Sequence, residues 1–517
     1  MIRLSVRNTL LVFPLLFALQ ARAQEPAPRV AETTSRNASG APAPRVGAVS
    51  HSMLFGALPV STRSAEARKL VEQAIDQYEN VLLDQSVSSA HRAALKDPNF
   101  ALAFAVWSFA ARRGSPSAAA LHRAEALAPR ATPDEKLLVH WMTSVQKDDL
   151  LPAITATNDL LARYPNDKHV LYLTSEWLYF QQDYERSRKI MEKVVKLNPN
   201  FPPILNMLGY AYVEGGDPDP VRAVSYLQRY AQLQPHQPNP EDSLGEVLRF
   251  TGDDEGSLAH YTAALKINPK FITSQVGLGD TSVLMGNYTR ARAEYDKAVL
   301  IAANPRDRLH AEFQKAMIYF WEGQPEEGRK ALDALLDKTR KQKEPYSIFE
   351  TGLTRALLTA DFESQLEQLR AIEASLQKPI PGMADSDRNL SIGSVLREQA
   401  RIAAFHNLSK NAGETIAKLE KFSTKTRDLT IGDSYESARG FLLLSQGDLT
   451  SAASELAADP HSPVVLQLLA STQDKLGNAA EAESTRRRIK YQRAPTVEWY
   501  LITHENAGQS NSAAAQN

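Results

Sequence analysis

Between residues 165 and 305 the chain alternates apolar-rich stretches with short polar breaks, and prolines mark the rhythm. Pro165 to Pro199 and Pro235 to Pro269 are each 34 residues, while Pro199 to Pro235 and Pro269 to Pro305 are 36. A Gly-Gly-Asp-Pro-Asp-Pro insertion at 215–220 accounts for the first surplus. Each interval holds two apolar stripes at helical spacing, which predicts two amphipathic helices per period. The first helix starts two or three residues after the proline and ends near Gly215, Gly252, Gly286 or Gly323. Glycine takes the left-handed conformation after a last helical turn at low steric cost. The second helix ends before the next proline, whose ring and missing N–H stop propagation.

The same residue types recur at the same offsets. One window gives Leu205, Leu208, Gly209 and Tyr212, then Ala223, Leu227, Tyr230 and Pro235. The next gives Leu244, Gly245, Leu248, Tyr261, Ala264 and Pro269, and a third gives Leu278, Gly279, Ala291, Tyr295 and Ala298. This pattern resembles the tetratricopeptide repeat family, in which small residues sit where helices cross and large ones fill the space between hairpins. Such hairpins cannot bury their apolar faces singly, so stacking is obligatory.

The resemblance is strongest over 165–335 and continues more weakly on both sides. Residues 97–129 fit with a shortened second helix. Thr132-Pro133-Asp134-Glu135 is a capping box with Pro at the first helical position. Ser64 is expected to cap a helix reaching about Asn80, with a second ending before Pro98. Residues 58–75 also resemble the opening of exported bacterial repeat proteins of this type. Beyond 339 the charged stretch Arg340–Pro345 is expected to break the array. Further pairs are expected near 347–377, 389–424, 434–458 and 463–491. The expected fold is an all-α solenoid, a superhelix of about twelve helix-turn-helix repeats. It is divided into arrays at 61–338 and 346–500, with bends at 340–346 and 379–388. No segment reads as alternating strands.

The ends differ in character. Arg3 and Arg7 precede the apolar run Thr9–Leu19, which is too short to span a bilayer, and Ala21-Arg22-Ala23 forms a cleavage site before Gln24. Residues 1–23 therefore read as a signal peptide, with an uncleaved membrane anchor as the alternative. Residues 24–60 begin rich in Ala, Pro and Ser and are expected to form a flexible tether, and 507–517 a disordered tail. The protein is expected in the periplasm or secreted, with no transmembrane segment after cleavage.

Composition narrows the chemistry. The 517 residues carry 59 Lys and Arg against 60 Asp and Glu, and removing 1–23 moves the net charge from −1 to −4. A globally basic nucleic-acid binder is excluded, and no nucleic-acid partner is expected. The absence of Cys excludes disulfides, thiolate metal sites and a cysteine nucleophile, and it suits an oxidising compartment. Gly277-Leu278-Gly279 imitates a dinucleotide loop, but Ser282 replaces the third glycine. Ser144–Lys147 has Ser-x-x-Lys spacing without Lys-Thr-Gly, and Gly432–Glu436 fails a nucleophile elbow at its last position. No two His fall three or four residues apart. We expect no catalytic residue, no metal and no cofactor.

The resemblance implies a partner-binding groove lined by the first helices. Carried over, its positions are Tyr172, Glu176 and Tyr179, then Asn206 and Tyr210, then Asp242, Glu246 and Arg249, then Asp280, then Glu312 and Tyr319. The Lys and Asn with which some family members grip a carboxylate terminus are absent: the corresponding pairs are Tyr172/Glu176, Asn206/Tyr210, Asp242/Glu246 and Val276/Asp280. An aromatic, mildly acidic groove favours a basic protein or peptide segment. Arg486-Arg487-Arg488, Lys490 and Arg493 read as favourable charge at a helix C-terminus, with an anionic envelope surface as the alternative. The expected function is an exported scaffold or adaptor. The rivals are an envelope protein that binds cell-wall glycan, and an enzyme with its site in 346–500.

Overall fold

The computed structural model describes residues 52–111, 115–147, 149–181, 183–214 and 218–504. The expected signal peptide, the tether as far as residue 51, Gly215 and the tail lie outside these residues. The described residues contain two strands and 25 helices, so twelve helical pairs are followed by one closing helix.

The strands are β1 (Ser52–Leu54) and β2 (Leu58–Val60). The helices are α1 (Ala65–Glu79), α2 (Leu83–Lys96), α3 (Ala101–Ala111), α4 (Ser115–Leu127), α5 (Pro133–Gln146), α6 (Leu150–Arg163), α7 (Lys168–Phe180) and α8 (Tyr184–Leu197). There follow α9 (Pro202–Glu214), α10 (Pro220–Leu233), α11 (Pro238–Thr251), α12 (Asp254–Ile267), α13 (Ile272–Leu284), α14 (Tyr288–Ile301), α15 (Pro305–Trp321) and α16 (Pro325–Gln342). The last are α17 (Pro345–Leu357), α18 (Phe362–Ser375), α19 (Asp385–Phe405), α20 (Ser409–Thr426), α21 (Leu429–Ser445), α22 (Leu449–Leu456), α23 (Pro463–Lys475), α24 (Ala479–Lys490) and α25 (Val497–His504). The chain divides into two compact units, and the division falls between Thr143 and Ser144 inside α5.

The smaller unit corrects the tether. β1 and β2 pair antiparallel with Ser52 opposite Val60, and Phe55 and Gly56 turn the chain with positive φ. Leu54, Leu58 and Val60 are buried. Two short apolar runs around a glycine suffice for a hairpin once a helix covers them, so the Ala/Pro-rich composition stops short of residue 52. Two buried or half-buried carboxylates tie the hairpin down: Glu72 accepts from Phe55 N at 2.7 Å, and Glu135 from Ser61 N at 2.6 Å. Glu135 also accepts from Leu102 N at the start of α3, and Thr132 caps α5 through Glu135 N at 3.1 Å. The capping-box glutamate is thus a fully buried brace, and burial raises its carboxyl above the usual range.

In the larger unit the second helices of six pairs begin with an acidic or amide side-chain cap. Asp183, Asp219, Asp253, Asn287, Asp361 and Asp448 each accept from the backbone N–H three residues on. Gly252, Gly286 and Gly323 take positive φ at the turns between paired helices, as the sequence predicts. The crossings are close. A Cβ on Gly209 would fall 2.5 Å from Leu227, and one on Gly245 would fall 2.9 Å from the Tyr261 ring. Tyr261 meets Gly277 on its other side, and Tyr295 lies against Gly279. Gly277 and Gly279 are therefore packing positions inside α13 and not a phosphate loop.

The expected break at 340–346 is not a boundary between units. Lys343 caps α16 with φ 54° and Pro345 opens α17. One apolar cluster runs from Leu309 through Leu335, Tyr346 and Val395 to Leu501. The charges of 340–343 belong to the exposed end of α16, and Glu344 caps α17 by accepting from Ser347 N at 2.6 Å. Among the described residues of 346–500 there is no strand.

Gly279→Val is expected to overpack the α13–α14 crossing and cost about 1–3 kcal/mol. The measurement is the urea midpoint of the full chain. An unchanged midpoint would show that the Tyr295 ring yields freely.

Candidate functional site

The first helices α7, α9, α11 and α13 carry nine of the eleven expected groove residues. Tyr172, Glu176, Tyr179, Asn206, Tyr210, Asp242, Glu246, Arg249 and Asp280 are all buried. At their centre lies an ion network that crosses four helices. Tyr210 on α9 donates its hydroxyl to Glu246 on α11 at 2.9 Å. Arg249, one turn further along α11, donates to Glu246 at 3.2 Å and to Asp280 on α13 at 3.0 Å. Tyr295 on α14 donates to the other oxygen of Asp280 at 2.7 Å. Asp242 accepts from Ser274 at 2.5 Å. Arg249 is 0% exposed, a placement a guanidinium takes only when its N–H groups find charged acceptors.

Three carboxylates share this one cation. Burial pushes Glu246 up to about 8, with Asp242 adding to the rise and Arg249 opposing it. Burial likewise brings Asp242 to about 7, against the Ser274 hydrogen bond and the Arg249 charge. Asp280 is also raised by burial, although Arg249 and Tyr295 pull it down.

The face also holds unspent hydrogen-bonding capacity. Among the described residues, Tyr179 OH and Asn206 Oδ1 on the first helices, and Tyr261 OH on α12 behind them, are buried without a hydrogen-bond partner. Each such group costs about 1–3 kcal/mol while unmatched.

Two expected residues stand apart. Glu312 receives Lys338 Nζ from α16 at 2.6 Å, and Tyr319 lies under the Arg292 guanidinium of α14 at 5.1 Å. Both therefore face second helices. The α15 residue that meets the network is His310, which sequence reasoning passed over. Its ring nitrogen lies 3.3 Å from Glu350 on α17. Burial lowers its basicity, but Glu350, with Asp280 and Asp307 behind it, reverses the balance and raises it. The register was missed because α15 has no Leu-Gly pair and runs 17 residues against 13 in α13.

The basic cluster is largely committed within the chain. Arg486 pairs with Asp474 and Glu483, Arg488 donates to Pro460 O, and Arg493 grips Asp254.

Residues 169–200, which contain α8 and nearly all of α7, match the family model described as tetratricopeptide repeat. This segment is a tetratricopeptide repeat. No curated protein matches it. Several solved repeat structures share distant likeness. MamA protein is 20% identical over 34% of this chain and 93% of its own, with a TM-score of 0.28. Yeast Tom70 is 13% identical over 81% and 95%, with a TM-score of 0.41. YrrB, described as a tetratricopeptide repeat protein with an unusual peptide-binding site, is 14% identical over 37% and 96%, at 0.27. Among the described residues of the repeats, no helix is long and apolar enough to cross a membrane.

Two outcomes are expected. The folded state keeps protons on Glu246 and Asp242 that the unfolded chain releases near 4–5. Stability of the larger unit should therefore fall as pH rises through about 5 to 8. Glu246→Gln should flatten that slope in thermal melts at stepped pH; a slope of the opposite sign would refute the protonation assignment. Arg249→Ala leaves Glu246 and Asp280 without their cation and should cost about 3–5 kcal/mol, read from the same melts.

Proposed function

We propose that this chain is an exported, non-catalytic scaffold whose tetratricopeptide repeats capture a protein or peptide partner along α7, α9, α11 and α13. One observation carries the reading. On these consecutive first helices, side chains that a purely structural stack would make apolar are aromatic, amide or acidic. They hold more carboxylates than cations, and the polar atoms Tyr179 OH and Asn206 Oδ1 are unmatched. A partner segment that presents a basic side chain and backbone amides would satisfy both deficits. Tyr172 and Tyr179 add ring area that loses little rotamer freedom on binding. The apolar run Thr9–Leu19 and the small residues Ala21 and Ala23 support export beyond the membrane. In that case the mature protein starts at Gln24, which mass spectrometry of the purified N-terminus reads directly.

The test of the binding face is a photo-crosslinking amino acid in place of Asn206 in intact cells. The expected result is one dominant protein adduct, reduced when Asp242→Asn is added. An absence of protein adducts from both position 206 and position 179 would overturn the reading.

A further inference from the structure

The larger unit touches itself across most of its length. Arg493, in the link between α24 and α25, donates both terminal nitrogens to the two oxygens of Asp254 at 3.0 Å each. Its Nη1 also reaches the carbonyl of Arg249 at 3.3 Å. Gly252 leaves the room: it turns the chain with φ 87°, and a Cβ there would lie 3.1 Å from Nη1. On a second repeat, His461 Nε2 lies 3.3 Å from the Tyr184 hydroxyl, with ring centres 5.5 Å apart. Tyr184 in turn stands edge-on to Tyr179 at 5.2 Å. Both contacts are made where a second helix begins, Tyr184 on α8 and Asp254 on α12. The late residues therefore meet the starts of second helices in two repeats that are separated by the α9–α10 pair.

The root of this late segment is held differently from its grip. Arg397 of α19 is buried and donates to Asp459 at 3.0 Å and to Glu498 at 2.9 Å. Ser462 closes the network on Glu498 at 2.9 Å, and Arg488 and Gln492 both donate to Pro460 O. The turn at 459–462, the link at 491–496 and α25 are thereby fastened to the C-terminal repeats as one body. The grip is one partly exposed ion pair, the Arg493 bond to the Arg249 carbonyl, and the His461–Tyr184 ring and hydrogen-bond contact, and a partly exposed ion pair adds little because water competes for it. A firm root with a light grip is the construction of a latch.

We propose that residues 459–496 form a latch that opens and closes on the edge of the repeats at Tyr184 and Asp254 while the C-terminal repeats stay folded. In the closed state it holds the backbone of Arg249 and backs Tyr179, so it fixes the spacing of the first helices. The latch itself does not depend on the reading of those helices as a partner surface.

The chain has no Cys, so paired spin labels can be placed without background. Glu255→Cys and Lys490→Cys put both labels on exposed positions of the full chain. Pulsed dipolar spectroscopy should give a short, narrow distance distribution. Arg493→Glu should lengthen and broaden it with the helical circular dichroism unchanged. The charge swap Asp254→Arg with Arg493→Glu should restore the short distance. An unchanged distribution in Arg493→Glu, or a swap that stays open, overturns the proposal. If Arg493→Glu loses helix, Arg493→Gln is measured instead: opening with full helix content supports the latch. Loss of helix in that variant too would make the contact part of the folded core and overturn it.

Discussion

How near two helices can approach decides nearly everything else in the larger unit. Gly209, Gly245, Gly277 and Gly279 bring first helices onto Leu227, Tyr261 and Tyr295 at distances that leave no space for a methyl group. At interior packing density such contacts specify one arrangement and penalise any slide. The consequence is chemical as well as steric. The ring of Tyr295 lies flush on Gly279, and this places its hydroxyl on Asp280, the next residue. The glycine that permits the crossing thereby also positions the donor that holds the carboxylate.

The ion network follows from that geometry. Buried charge is costly, and a buried pair seldom stabilises more than apolar residues of the same size. Its contribution here is registration. Arg249 can satisfy Glu246 on its own helix and Asp280 on the next only at one offset between α11 and α13. Tyr210 extends the same demand back to α9. The close glycine crossings already penalise a slide, and this chain of bonds adds a directional demand to the same register.

The sequence makes the repeat legible because backbone constraints drive it. Proline stops, left-handed glycines and Asp or Asn caps act locally, so Gly252, Gly286, Gly323, Asp253 and Asn287 can be read from the chain alone. The hairpin at 52–60 was hidden because its stability comes from Glu72 and Glu135, distant carboxylates that no local pattern reveals. Nine of the proposed face residues could be located by register, but their mutual bonds could not, since pairing between helices depends on crossing geometry. At α15 the register itself failed. Without a Leu-Gly pair α15 offers no marker, and the carried-over positions Glu312 and Tyr319 face second helices, whereas His310 lies toward Asp280 and Glu350. Arg493 looked like helix-end charge because its partner, Asp254, lies 239 residues earlier.

That separation has a kinetic meaning. Neighbouring hairpins close loops of a few dozen residues, so each can form soon after its own residues are available. The contacts of His461 and Arg493 span 277 and 239 residues, and they cannot form until almost the whole unit has been made. A chain that emerges from its N-terminus therefore passes through a long period in which the repeats are built but not yet joined end to edge. A truncation before residue 493 would remove both Arg493 and Glu498, the partner of buried Arg397, so this closing contact and the seat of the last repeats depend on the same few terminal residues.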